Sequence, residues 1–147
     1  MATATTIDPD IQVSPGEGRY LCGILYNSLQ DAPPITNGDL AEYLDVSGAS
    51  VSEMIEAFDE RKLVTYAPYR GAELTEEGER LARMILWRRC TVQRFFEQEA
   101  GIGLSDDQAY RIANELPAED LRTLGELVEQ DCVDRCEATD VGECDGL

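Results

Sequence analysis

The chain has 147 residues, of which 43% are hydrophobic, so it can form one domain or two small ones that share a core. It carries 30 acidic and 12 basic residues, a net charge of −18, and no histidine. The lack of histidine excludes the common histidine-based catalytic sites, and no phosphate-binding glycine loop or nucleophile elbow is present. The sequence therefore gives no support for an enzyme.

Neither an apolar run of transmembrane length nor a signal peptide occurs, so we expect a cytoplasmic protein without a membrane partner. The acidic excess is unusual for a protein that binds polyanions, and Lys62 is the one lysine of the chain. Near 1 M salt the Debye length is about 3 Å, so repulsion beyond direct contact disappears. We therefore interpret the charge as an adaptation to the cytosol of an extreme halophile. The alternative is a protein that does not bind polyanions.

The first part of the chain predicts a flexible arm and two helices. Residues 1–14 lack helical or strand periodicity and are expected to form the arm. Apolar residues then recur at helical spacing from Pro15 to about Leu29, which predicts a helix. A short second helix follows, and Asn37 is expected to cap it with its side-chain oxygen.

A third helix is expected from about Gly48 to Arg61, with Ser47 as its N-terminal cap. Its apolar side chains recur at spacings of three and four, which leaves the polar residues between them outward. Two short strands, Leu63–Tyr66 and Ala72–Leu74, follow and are joined by a turn that contains proline and glycine. This order of elements predicts a winged helix-turn-helix over residues 15–75, in a fold that is mainly α with a small β-wing.

The region after the wing, residues 76–131, is expected to hold a long linker helix and a helical dimerisation domain. Thr75 can cap the long helix, Ser105 and Gln108 have the spacing of a capping box, and Pro117 fits the first position of a last helix. The apolar face of the last two helices either forms a dimer interface or is buried within the monomer. The residues predicted for dimerisation are Ile112, Leu116, Leu121, Leu124 and Val128.

The cysteines lie mostly near the C-terminus, in an acidic tail predicted over residues 132–147. Cys132 and Cys136 are expected to extend the last helix and to share one of its faces, and Cys144 follows. With Cys90 or a thiol of a second copy, these residues could bind zinc, iron or an iron–sulfur cluster. A reversible disulfide between Cys132 and Cys136, or a purely apolar role, are the alternatives that the sequence leaves open.

Three segments, GDLAEYLDVSGASVSEMIEAFDERKLV, YRGAELTEEGERLA and WRRCTVQRFF, resemble the diphtheria-toxin-repressor (DtxR/MntR) family of iron- or manganese-dependent transcriptional repressors. The resemblance covers roughly residues 17 to 130 and is to the short two-domain form of the family. It implies a homodimer that binds a palindromic operator in double-stranded DNA. The residues that it assigns to DNA contacts are Ser47, Ala49, Ser50, Ser52, Glu53 and Arg70.

The resemblance also shows where the metal ligands of the family would fall in this chain, on three different helices. The corresponding positions are Arg19, Cys22, Arg89 (or Cys90 if the register slips by one), Tyr110, Ala113 and Asn114, followed by Glu115. Arginine, alanine and tyrosine do not supply the donors that Fe²⁺ or Mn²⁺ needs. The resemblance therefore implies that the metal site is lost, and fixed positive charges at Arg19 and Arg89 would leave the dimer permanently competent to bind DNA.

A different class of function is a protein-interaction module, in which an acidic winged helix binds protein and not DNA. The acidic residues along the third helix favour this alternative, whereas Arg70 in the wing and the family resemblance oppose it. Those acidic residues are Glu53, Glu56, Asp59 and Glu60.

Overall fold

The computed structural model describes residues 13–144, so the predicted arm of residues 1–14 lies almost entirely outside the described residues. Helices dominate this part of the chain, and a two-stranded antiparallel sheet follows the third helix. The elements are α1 (Pro15–Gln30), α2 (Asn37–Leu44), α3 (Gly48–Glu60), β1 (Val64–Ala67), β2 (Gly71–Leu74), α4 (Glu76–Ala100), α5 (Asp106–Glu115) and α6 (Ala118–Leu127). The predicted class, mainly α with a small β-wing, is confirmed.

These elements are distributed over two compact units, the head and the body. The head comprises Tyr20–Ala82 and residues 138–144, and the body comprises residues 13–19 and Arg83–Glu137. Helices α1 and α4 each contribute residues to both units. Between residues 13 and 144, no helix combines the length and the hydrophobicity that crossing a bilayer requires.

Side-chain caps mark the beginnings of α2 and α3, the two helices of the helix-turn-helix in the head. Ser47 caps α3 as predicted, since its hydroxyl accepts a hydrogen bond from the Ser50 amide at 3.1 Å. The predicted cap of α2 is wrong, because Thr36 and not Asn37 accepts from the Asp39 amide, at 3.0 Å. Thr36 has the extended backbone of a cap residue, whereas Asn37 is already the first helical residue.

The core of the head forms where α3 packs its apolar face inward. Val51, Ile55 and Phe58 are each at most 2% exposed, and burying such side chains stabilises the fold by about 1.5–3 kcal/mol apiece. Gly23 of α1 allows α2 to approach closely, because a Cβ there would lie 3.2 Å from the side chain of Leu44. The helical spacing read from the sequence thus identifies the buried face of α3.

The wing is a short hairpin in which β1 begins and ends one residue later than predicted, and β2 begins one residue earlier and ends at Leu74 as predicted. Its register pairs Val64 with Leu74 and Ala67 with Gly71. Gly71 has φ +119°, and a Cβ there would lie 2.1 Å from the backbone oxygen of Ile35, so only glycine fits. Ile35 and Ala72 exchange two backbone hydrogen bonds of 2.8 Å, which tie the hairpin to the segment before α2.

The body is a small helical core built on α4. Its buried residues come from α4, α5 and α6, and partly buried ones from α4, α5 and the segments next to α5 and α6 pack against them. The predicted capping box of α5 is confirmed, with the Gln108 amide donating to Ser105 Oγ at 3.1 Å and the Ser105 amide donating to Gln108 Oε1 at 3.0 Å. The prediction that Pro117 is the first residue of the last helix is wrong, because Pro117 is the cap residue before α6. The buried residues of this core are Trp87, Val92, Ala109, Ala113 and Leu121.

The prediction that Cys132 and Cys136 extend the last helix is wrong, because α6 ends at Leu127. The segment that follows is irregular and hydrogen-bonds to α4 through its backbone. Trp87 Nε1 donates to the Cys132 oxygen at 3.2 Å. Arg83 Nη1 donates to the Cys136 oxygen at 3.0 Å, and the Cys136 amide donates to the Arg83 oxygen at 2.9 Å. These tertiary bonds replace helical ones, so the two cysteines do not share a helix face.

Candidate nucleic-acid interface and metal positions

The N-terminal half of α3 presents short polar side chains to solvent. Ser47, Ser50 and Ser52 are all exposed. Ser47 Oγ donates to Ser50 Oγ at 3.0 Å, so the Ser50 hydroxyl keeps its own proton for an external acceptor. Ser52 Oγ accepts from Asn37 Nδ2 at 3.3 Å, which joins the beginning of α2 to α3. This end of the helix can therefore approach bases or phosphates closely, with hydroxyls that are held in place.

Ala49 and Glu53 lie four residues apart, on one exposed face of the same helix. A methyl group such as that of Ala49 can contact the methyl of thymine, and a carboxylate such as that of Glu53 can accept from the amino group of cytosine. The Glu53 side chain makes no hydrogen bond or ion pair with any residue between 13 and 144. It is thus available to an external donor.

The tip of the wing carries a cation and an aromatic ring. Arg70 is exposed, and its side chain has no partner within the described part of the chain. Tyr69 beside it is fully exposed and has φ +66°, an uncommon backbone conformation for this residue type. Tyr69 was missed in the sequence analysis, although an aromatic residue inside a Pro-Tyr-Arg-Gly turn has no core to join. Arginine and tyrosine side chains are common donors to phosphate oxygens.

The C-terminal half of α3 has a different character, because it is strongly acidic. Glu56, Asp59 and Glu60 are all exposed there. The first turn of α3, by contrast, carries no acidic side chain. Such a division favours contact of a polyanion with the beginning of α3 and not with its end.

In the body, Arg89, one of the residues that the resemblance assigns to a metal position, forms a cross-link between two helices. Arg89 of α4 is only 7% exposed. Its Nη1 lies 3.6 Å from the Asp106 carboxylate, and its guanidinium carbon lies 5.7 Å from the centre of the Tyr110 ring. Both partners belong to α5, so an ion pair and a cation–π contact tie α5 to α4.

The other metal positions supply few ligand atoms. Tyr110, Ala113 and Asn114 line a cavity of about 20 Å³, and Ala113 has no donor atom. Cys22 is buried in the head, where its thiol donates to the Ala82 oxygen at 3.5 Å. Within residues 13–144, no group of three or more histidine, cysteine, aspartate or glutamate side chains is placed to hold a metal ion. The residues at these positions do not fit Fe²⁺ or Mn²⁺.

The four cysteines proposed as thiol ligands differ in exposure. Cys90 and Cys136 are buried in the body, Cys132 is half-buried there, and Cys144 is half-buried in the head. Thiol-based binding of zinc, iron or an iron–sulfur cluster stays a prediction, but the shared helix face that motivated it does not exist. Metal and sulfide analysis of the purified protein tests it.

The residues predicted for dimerisation divide into two groups. Leu121 is fully buried and Val128 is 8% exposed, so both belong to the interior of the body itself. Ile112, Leu116 and Leu124 are half-buried and keep part of their surface available to a second copy. Of the residues predicted for dimerisation, this second group therefore has the surface that a dimer contact would need.

Comparison with known proteins finds a matching domain family, similar sequences and similar folds. Residues 17–72 match the family described as iron dependent repressor, N-terminal DNA binding domain. The HTH-type transcriptional regulator MntR of Oceanobacillus iheyensis is 28% identical over 109 residues, which cover 71% of this chain and 72% of that protein. The matched relatives are transcriptional regulators and not enzymes.

Solved structures show the same fold. The IdeR protein of T. acidophilum has a TM-score of 0.67 at 24% identity, over 86% of this chain and 58% of that one. A manganese-dependent transcriptional repressor in complex with manganese has a TM-score of 0.66 at 22% identity, over 76% of this chain and 51% of that one. The chain thus spans only a little more than half the length of these two structures.

The N-terminal part of the chain therefore has a winged helix-turn-helix fold, and most of it matches a family of DNA-binding domains. The domain match, the MntR relative and the IdeR-like fold together support the DtxR/MntR family of repressors.

Proposed function

We propose that this protein is a homodimeric, cytoplasmic transcriptional repressor that binds a specific operator in double-stranded DNA. The observation that carries the proposal is the exposed, serine-rich beginning of α3 together with an exposed arginine of the wing, within a domain that matches the iron dependent repressor type. In the proposed complex α3 lies in the major groove. Genome-wide chromatin occupancy of the tagged protein tests this function, and we expect discrete peaks at promoters.

Each predicted DNA-contacting residue has a proposed role that follows from its chemistry. Ser50, Ser52 and Glu53 contact base edges, since they lie on the exposed face of α3. Ser47 and Arg70 contact the sugar–phosphate backbone, which positions the helix but carries no sequence information. Ala49 supplies an apolar contact on the same face.

We further propose that DNA binding does not require a metal ion. The manganese-dependent repressor of similar fold was solved with manganese. Here Arg89 occupies one of the family's ligand positions and ties α5 to α4 through Asp106 and Tyr110. A fixed guanidinium is always charged, so the body needs no cation from solution to hold these two helices together.

A chelator experiment tests metal independence. Treatment with EDTA, followed by fluorescence anisotropy with operator DNA, should leave the Kd unchanged, and added Mn²⁺ should not lower it. A manganese-dependent repressor serves as the positive control and should lose binding under the same treatment. Loss of binding by the present protein, with recovery on addition of Mn²⁺, would contradict the proposal.

The acidic surface leads to a prediction about salt. Each neutralised phosphate normally steepens the loss of affinity with salt, by about 0.9 in the log–log slope. With a net charge of −18, repulsion opposes this attraction, and added salt screens the repulsion. Binding should therefore survive, or strengthen, as KCl rises toward molar concentrations. A conventional steep loss of affinity would show that the surface is not adapted to high salt.

The dimer has its own test in solution. Analytical ultracentrifugation in concentrated KCl should give about twice the monomer mass of 16.3 kDa. Leu124→Asp should shift the protein to the monomer, because it places a charge on a half-buried side chain that keeps exposed surface. Val128→Asp is not a suitable variant, since Val128 is buried and a charge there would unfold the body. A monomeric wild-type protein would contradict the homodimer.

The second candidate function, a protein-interaction module, is favoured by one observation. Glu53, Glu56, Asp59 and Glu60 form an exposed acidic run along α3. A module of this kind would give no discrete chromatin peaks of its own and would show no preference for any DNA sequence. The occupancy experiment therefore distinguishes the two functions.

A further inference from the structure

A second concave site lies wholly within the body, apart from the DNA-contacting residues. It is a cleft of about 170 Å³ between α4, α6 and the irregular segment after α6. Its lining combines apolar walls with three charged side chains. The residues that matter to its chemistry are Met84, Trp87, Arg88, Leu121, Arg122 and Asp134.

The charges of the cleft do not cancel. Arg122 Nε is paired with the Asp134 carboxylate at 2.9 Å. Arg88 instead donates from Nη2 to the Leu116 backbone oxygen at 3.0 Å, and no acidic side chain within residues 13–144 forms an ion pair with it. Two guanidinium groups and one carboxylate leave the lining with one net positive charge, in a chain whose net charge is −18.

Arg88 is also half-buried. Burial lowers the pKa of Arg88 below the ordinary value of an arginine, because desolvation disfavours the charged form. The group nevertheless stays protonated at neutral pH. A desolvated charge without a carboxylate partner is costly, so an anion from solution would be stabilised beside it.

The volume of the cleft is large enough for one aromatic ring. A cavity of about 150 Å³ lined by apolar side chains is enough to hold benzene, and this cleft is slightly larger. Met84 and Ala118 are half-buried and supply the accessible apolar surface, while Trp87 and Leu121 lie behind them as part of the buried body core. A ring or branched chain that entered here would exclude water from the charged end of the cleft.

The segment that forms the outer wall of the cleft is hydrogen-bonded to α4. Asp134 has φ +68°, in the left-handed region, and its segment is tied to α4 on both sides. The ties are the Trp87 bond to the Cys132 oxygen and the Arg83 bond to the Cys136 oxygen. The segment that carries Asp134 is therefore held against α4 by hydrogen bonds on both sides of that residue.

We propose that this cleft binds a small organic monocarboxylate, with its ring or branched chain against Met84, Ala118 and Trp87 and its carboxylate on Arg88. A carboxylate suits the planar fork of a guanidinium, which can donate two parallel hydrogen bonds to it. One negative charge matches the one net positive charge of the lining. The site is independent of the DNA-binding proposal, since it involves none of the same residues.

Benzoate is the probe, and the intact protein reports on its own binding. Trp87 is the one tryptophan of the chain and lines the cleft, so its fluorescence should change saturably as benzoate is added at constant ionic strength. Benzamide has the same shape without the charge and should give no saturable change. Arg88→Met should raise the Kd for benzoate about 10-fold or more, the size expected for a lost charge-assisted hydrogen bond.

Arg111→Met is the matched control, because Arg111 is an exposed arginine of α5 that pairs with Asp107 at 3.2 Å, outside the cleft. It should bind benzoate as the wild type does. If Arg88→Met does not fold, Arg122→Met replaces it, since that side chain is partly exposed, and it too should bind benzoate more weakly. Equal binding of benzoate and benzamide, wild-type affinity in the cleft variants, or no saturable change up to the solubility of benzoate would each overturn the proposal.

Discussion

Replacing Gly78 by alanine should destabilise the head by about 3 kcal/mol or more, in the range of severe overpacking. The usual effect of this change inside a helix is the opposite, a gain of roughly 0.5–1 kcal/mol. Here a Cβ would lie 1.9 Å from the backbone oxygen of Leu63. That oxygen accepts the Thr75 amide at 3.0 Å, and Leu63 itself is fully buried, so neither side can move aside easily.

Urea unfolding of the purified protein measures this effect. Gly48→Ala is the matched control in the same unit, because Gly48 begins α3 and a Cβ there would have no neighbour within 4 Å. The control should be as stable as the wild type or more so. If Gly78→Ala unfolded at the wild-type urea concentration, the close packing of α4 on the segment before the hairpin would be refuted.

Replacing Arg70 by alanine should weaken DNA binding about 10-fold, and equally for operator and random sequences. Arg70 lies at the exposed tip of the wing without a partner between residues 13 and 144, so its charge is available to a phosphate. Loss of one phosphate contact should also change the slope of log K against log salt by about 0.9. Fluorescence anisotropy at several KCl concentrations measures both quantities.

Arg111→Ala controls for the loss of positive charge alone, since this exposed arginine belongs to the body and pairs with Asp107. It should leave the Kd close to the wild-type value. A loss confined to the operator after Arg70→Ala would instead assign Arg70 to base recognition, which contradicts its proposed role.

Local signals predicted the fold well where the cause is itself local. Ser47, Thr75 and Ser105 each cap a helix as their sequence positions indicated, since the bond joins residues three apart. The hairpin was predicted to within about one residue for the same reason. The choice between Thr36 and Asn37 as a cap failed because both residue types can fill that position, and only the backbone conformation decides.

Features that depend on tertiary contacts could not be read from the sequence. The continuation of α6 through Cys132 and Cys136 followed helical spacing, but bonds from Trp87 and Arg83 hold that segment in another conformation. The pairing of Arg89 with α5 was equally hidden, because spacing along α4 does not tell which side chains of α5 it meets. The exposed face of α3 could be predicted, since it depends on spacing along a single helix, whereas its contact with DNA stays a proposal.

Selection of binding sequences from a random double-stranded DNA library tests most directly the claim that α3 reads bases. The wild-type protein should enrich a palindromic motif, as two copies reading equivalent half-sites require. Ser50→Ala and Glu53→Gln should change the preferred bases at symmetry-related positions, whereas Arg70→Ala should select the same motif more weakly. Enrichment of no motif, or an identical motif with identical strength for all four proteins, would contradict the claim.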